Sequence, residues 1–177
     1  MQGFGWFDLA FVRIRSKHAS VAIDDTLPRL LANLGLATLM VSATVLVHFW
    51  GLLGLTRVLR HGGGRLRLHE GIPRQATLIL LVVFGVFVLH TIEIWLYAGL
   101  YRSLGETRSF EEALYFSTVA FSTLGFGDVV LTPRWRLVSA IEGANGMILI
   151  GWSAAFLLTV TSRLKLLEHD WLDHKEE

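Results

Sequence analysis

The chain has 177 residues, 53% of them hydrophobic and 18% charged, with a net charge of +1; so apolar a composition points to a membrane protein rather than a soluble domain. A charge this close to zero argues against the concentrated basic face of a nucleic-acid binder. The lack of cysteine removes structural disulfides, thiolate metal sites and cysteine nucleophiles.

Residues 1–29 form an N-terminal segment in which Phe4, Phe7, Phe11 and Ile14 recur at helical spacing. That pattern suits a helix lying in the membrane interface, with a loose terminus as the alternative. No cleavable signal peptide is expected, because the first long apolar run begins near Leu30, after the acidic pair Asp24-Asp25. Residues 30–56 are long and apolar enough to cross a bilayer, which needs about 20 residues. His48 is the ionisable residue of this span. It carries no repeated arginines, so it is not a voltage sensor, and a peripheral position is expected.

Residues 57–74 hold five Arg, two His and one Glu around Gly62-Gly63-Gly64. This segment lacks the Gly-Lys-Ser/Thr ending of a phosphate loop; a basic cytoplasmic loop is expected. A second span follows from Gln75 to Tyr101 and a third from Leu137 to Ser162. The residues after 165 make a charged cytoplasmic tail. The expected fold is therefore all-α and membrane-spanning, with residues 75–165 as one domain.

Between the second and third spans the pattern changes. Ser109-Phe110-Glu111-Glu112 is a capping box, in which a serine caps a helix whose third residue is glutamate. The helix it predicts, Phe110–Ser122, is roughly 20 Å long at about 1.5 Å per residue, too short to span. Thr123-Leu124-Gly125-Phe126-Gly127-Asp128 follows, and Thr132-Pro133 then supplies a cap and first-turn proline for the third span. A short helix and a Gly-rich segment between two spans describe a re-entrant loop. Non-helical backbone at membrane depth is tolerated where protein buries it or where it lines a watery path. Carbonyls aligned along such a path replace the hydration shell of a cation, and alternating backbone hand requires cheap positive φ, which Gly125 and Gly127 supply. Leu124 and Phe126 are expected to pack against the short helix, whose negative C-terminal end favours a cation nearby.

Tyr115 through Asp128 resembles the pore helix and signature of the two-helix potassium channel family, whose usual signature is Thr-Val-Gly-Tyr-Gly-Asp. The resemblance covers residues 75–165 and implies carbonyl coordination of K⁺ by Thr123, Leu124, Gly125, Phe126 and Gly127, with Asp128 at the outer mouth. One copy of the motif implies a homotetramer, since four loops surround the ion. Three positions depart from the family pattern. Phe126 lacks the tyrosine hydroxyl, Phe116 replaces a tryptophan of the supporting cuff, and Val119 stands where many relatives carry a glutamate.

Glu93 and Glu142 are costly inside a membrane and must face protein or water. One of them is expected to brace the short helix in place of the glutamate absent at 119; a helix-to-helix hydrogen bond or snorkelling is the alternative. Gly146 and Gly151 are candidate gating hinges, with close helix packing as the competing role. Asn145 is a candidate cavity residue, against a helix–helix hydrogen bond. The seven histidines are scattered and suggest no metal-ligand constellation.

An outward-facing filter puts the N-terminus outside and the C-terminus in the cytoplasm, in a multi-pass arrangement suited to a bacterial inner membrane. The sequence thus predicts a non-enzymatic potassium-selective channel subunit without a cofactor, with K⁺ as permeant ion and membrane lipid and its own copies as partners. A weakly selective cation channel and a non-conducting membrane scaffold are the alternatives.

Overall fold

In a computed structural model the chain folds into helices. The structure describes residues 6–65 and 72–163, with side chains over 27–60 and 75–162. Among the described residues four helices run in chain order: α1 (Trp6–Arg65), α2 (Ile72–Ser103), α3 (Phe110–Phe121) and α4 (Arg136–Arg163). Three stretches within them can cross a membrane, Leu27–Arg60, Gln75–Ser103 and Arg136–Ser162. Large apolar side chains such as Leu39, Leu46, Phe84 and Phe87 point outward. Hydrocarbon accepts such a surface, and each helix satisfies its own backbone there.

Two boundaries differ from the sequence expectation. The first helix is continuous from Trp6, so the segment before residue 30 is not a separate element, and Pro28 lies inside the helix. A proline there removes one backbone hydrogen bond, yet the turns on both sides remain helical. The same helix continues to Arg65 and α2 begins at Ile72, which shortens the expected 57–74 loop. Arginine and leucine favour helix, so a span can extend into the interface beyond its apolar core. The phenylalanine stripe at 4–14 and the tail after 165 lie outside the residues whose side chains are described.

The helix ends follow local chemistry. At the end of α2, Gly105 takes φ 75°, while Gly105 N–H and Glu106 N–H donate to the carbonyls of Arg102 and Tyr101. This is the left-handed glycine termination that satisfies orphan carbonyls. At the start of α3, the Ser109 hydroxyl accepts from Glu112 N–H at 3.1 Å. The Glu112 carboxylate reaches back to Arg108 N–H at 2.6 Å, one residue before the serine that a capping box would use. α4 starts at Arg136 after a turn over 133–135, with Trp135 N–H donating to Thr132 C=O.

α1 packs on α2 and α4, and α3 packs between α2 and α4. The core under α3 gathers Tyr97, Tyr101, Phe116, Leu131 and Val138 around Ala37. Asn33 of α1 donates to the carbonyl of Arg134, so the Asn33 end of α1 lies beside the start of α4. Glu106 holds the same end together by accepting from both Thr132 N–H and its hydroxyl, at 2.8 and 2.9 Å.

Candidate functional site

The segment after α3 has the backbone that its glycines foretell. Thr123, Gly125 and Gly127 take φ of 60°, 59° and 77°, alternating with residues that stay at negative φ. Glycine adopts this hand freely, whereas Thr123 bears a strain that a β-branched residue rarely accepts. Its start is fixed by three bonds to α3: Thr123 N–H donates to Ala120 C=O, and Leu124 N–H and Gly125 N–H both reach Val119 C=O. Val119 therefore supports the segment through its backbone, while its side chain is buried.

Leu124 and Phe126 are 59% and 65% exposed, so a single chain leaves most of their surface uncovered. Phe116 is buried and meets Tyr101 edge-on at 5.2 Å between ring centroids.

The far end of the segment is tied by a contact that sequence reasoning missed. Tyr115 donates its hydroxyl to Asp128 Oδ2 at 2.7 Å, and Asp128 Oδ1 accepts from Val129 N–H. The Tyr115 hydroxyl holds the Asp128 carboxyl below its ordinary value, and the same bond holds the Tyr115 phenol above its own. A donor on α3 thirteen residues before the aspartate was the available signal, and it depends on how the segment doubles back along α3.

Behind the segment lies the first of two buried carboxylates. Glu142 of α4 is fully buried, with Tyr101 donating to Oε2 and Ser117 of α3 meeting Oε1, both at 2.5 Å. Glu142 thus links α4 to Ser117 of α3 and to Tyr101 of α2. Ser117 also lies 3.0 Å from Ile94 C=O. A serine has one hydrogen, so Ser117 shares its donor between the Glu142 carboxyl and the Ile94 carbonyl.

Glu93 does something else. Its Oε1 lies 2.8 Å from His48 Nδ1 of α1, and its Oε2 2.8 Å from His90 Nδ1 one turn earlier on α2. Glu93 thus faces the first span rather than α3. The scattered histidines of the sequence are corrected here: His48, His90 and Glu93 offer ligand atoms within 4.8 Å of one another.

The remaining candidates lie along α4. Asn145 is corrected from a cavity residue to a helix–helix contact; it is 3% exposed and donates to the Thr44 hydroxyl of α1 at 2.8 Å. A Cβ on Gly146 would collide with the Phe121 carbonyl, while one on Gly151 would meet nothing within 4 Å. Gly146 is thus a point of close approach to α3.

A short helix followed by a segment of alternating backbone hand, set between two spans, has the form of a pore loop. The family model described as "Ion channel" matches residues 76–163. Over those residues the chain belongs to the ion channel family. It is 32% identical to the mouse (Mus musculus) protein "Potassium channel, subfamily K, member 16", across 68% of this chain and 46% of that protein. It is 36% identical to "Uncharacterized membrane protein YdjJ" of Bacillus subtilis (strain 168), across 48% of this chain and 27% of that protein. The chain thus spans less than half the length of either relative. No solved structure matches it. With its three helices long and apolar enough to cross a membrane, the chain is a multi-pass membrane protein.

Proposed function

We propose that the chain is the pore-forming subunit of a homotetrameric, potassium-selective channel, with Thr123 to Gly127 as its filter. The observation that carries this reading is the positive φ at Thr123, Gly125 and Gly127 alone within the segment. That alternation brings successive carbonyls to one side of a strand, the arrangement that replaces the water around a dehydrated cation. The exposed Leu124 and Phe126 support the tetramer, since neighbouring copies would cover them. The similarity to a mouse protein named as a potassium channel supports K⁺ as the ion. No cofactor takes part in this reading. The filter faces outward, so Asn33 and the start of α4 lie near the outer surface and the C-terminus lies in the cytoplasm, in keeping with a bacterial inner membrane.

Passive K⁺ flux from vesicles reconstituted with the full chain tests the proposal. Wild type is expected to conduct, and Gly125→Ala to abolish flux, because a Cβ at φ 59° strains the filter. Absence of flux from correctly folded wild type would favour a non-conducting scaffold. A weakly selective cation pore is the second reading, favoured by Phe126, which has no hydroxyl with which to brace the filter. Reversal potentials in mixed K⁺ and Na⁺ separate the two, and a potential that ignores the K⁺ gradient would overturn selectivity.

A further inference from the structure

His48 and Glu93 are fully buried, and neither touches the proposed filter. They join two spans that the pore loop does not need to have joined. Glu93 offers one oxygen to each imidazole, with both Nδ1 atoms at 2.8 Å. Because both Nδ1 atoms face the carboxylate, both Nε2 atoms face away, and they converge on one group. Ser153 Oγ of α4 lies 3.1 Å from His90 Nε2 and 3.4 Å from His48 Nε2.

Hydrogen bonds among neutral imidazoles do not complete this arrangement. With both Nδ1–H groups donated to Glu93, both Nε2 atoms are acceptors, and Ser153 has one hydrogen to give. One buried ring nitrogen is left without a donor, which costs the desolvation of that group. A metal ion reverses the demand. Bound at Nδ1, each histidine carries its hydrogen at Nε2 and needs an outer acceptor. The two lone pairs of Ser153 serve both rings at once.

We propose that His48, His90 and Glu93 bind one divalent transition-metal ion of the zinc class, with Ser153 as the shared outer-shell acceptor. Two imidazoles and a carboxylate suit zinc, cobalt or nickel, whereas magnesium and calcium prefer all-oxygen sites. Each Nδ1 lies 2.8 Å from a Glu93 oxygen and the ligand atoms lie within 4.8 Å of one another, so metal–ligand bonds of about 2.0–2.2 Å form after adjustment of the side chains. Trp152 beside His48 and Phe121 beside His90, with ring centroids at 5.3 and 5.6 Å, wall the site with apolar surface. Access exists on the His90 side. Its side chain is 17% exposed and lines a groove of about 670 Å³ together with Thr118, Phe121 and Ser153. The ion would clamp α1 to α2 and, through Ser153, to α4.

The test uses the full chain in detergent, stripped with chelator, reloaded with Co²⁺ or Zn²⁺ and desalted. About one ion per chain is expected to remain, with Co²⁺ showing ligand-field absorption bands. His48→Gln and Glu93→Gln are each expected to abolish retention and bands, and Ser153→Ala to weaken binding by about 10–100-fold. A chain carrying His18→Gln, His61→Gln, His69→Gln, His169→Gln and His174→Gln keeps every candidate ligand and is expected to retain the ion. That variant decides the matter even where His48→Gln fails to fold. No retained ion in folded wild type overturns the proposal. So does loss of the ion in the five-histidine variant, or nitrogen NMR showing one imidazolium and no effect of added Co²⁺; the cluster would then be held by an extra proton alone.

Discussion

The inner helix α4 carries two polar seams, and they differ in what they hold. Towards α3, Glu142 meets Ser117 and Tyr101, while Gly143 and Gly146 bring α4 close to the backbone carbonyls of Ala120 and Phe121. Towards α1, Asn145 meets Thr44 and Ser153 lies near His48. The first seam is short, dense and built around the helix that positions the proposed filter. The second is a set of separate polar contacts spaced along a long helix pair. The difference teaches that a span added beside a pore can be attached by a few polar points, whereas the helix behind the filter is fixed by close backbone approach as well.

This contrast can be broken most forcefully at Glu142. Glu142→Ala takes the acceptor from the buried Tyr101 hydroxyl and one of two acceptors from Ser117, and an unsatisfied buried hydroxyl costs about 1–3 kcal/mol, so thermal unfolding in detergent is expected at a markedly lower temperature. Glu142→Gln keeps one side-chain oxygen as an acceptor for Tyr101, and it is expected to lose less stability than Glu142→Ala. Equal losses in both variants would show that a single acceptor at position 142 does not hold the seam.

Next in size is the pair of glycines. Gly146→Ala forces a methyl group against the Phe121 carbonyl, an overpacking that costs roughly 1–3 kcal/mol. Gly151→Ala meets open space and is expected to be neutral or stabilising, by up to about 1 kcal/mol from helix propensity. Unfolding temperatures rank the two. Open probability in single-channel records separates packing from a hinge, because a hinge at Gly151 would slow opening without loss of stability.

On the α1 seam the expected effect is smaller. Thr44→Val removes the acceptor for Asn145, and interhelical hydrogen bonds within membranes average about 0.6 kcal/mol. A loss as large as that of Glu142→Ala would erase the distinction between the seams.

The smallest effect lies outside both seams, at the mouth. Asp128 is held below its ordinary value of 3.8 by the Tyr115 hydroxyl. Its contribution is complete above that value and is lost as pH falls through the lowered one. The Tyr115 phenol is raised above 10.0, so its contribution is complete below that value and is lost as pH rises through the raised one. Tyr115→Phe is expected to move the acid limb of a conductance–pH curve upward towards 3.8 and leave the neutral plateau nearly unchanged.

The parts legible in the sequence were those with local causes. Span length, the Ser109 cap, the short α3 and the alternating glycines all follow from residues close to one another along the chain. The seams were not legible because they join residues far apart, 41 positions for Tyr101 and Glu142 and 105 for His48 and Ser153. A helix apolar around its whole circumference gives no stripe from which to read its rotation. Glu93 and Glu142 were therefore visible as buried charges, but which neighbour each faced was not. Asn145 and Gly146 show the same ambiguity, since cavity and helix contact differ by a fraction of a turn.

The outward-facing Leu124 and Phe126 carry a consequence for biogenesis. The three bonds to α3 hold the beginning of the proposed filter segment, while its two large side chains are more than half exposed within their own subunit. In the proposed tetramer that cover comes from the neighbours, so finishing the filter and meeting three other subunits are one event. Its stability then depends on subunit density in the bilayer by mass action. Dilution of the protein among lipids would loosen the filter first, while the spanning helices remained intact.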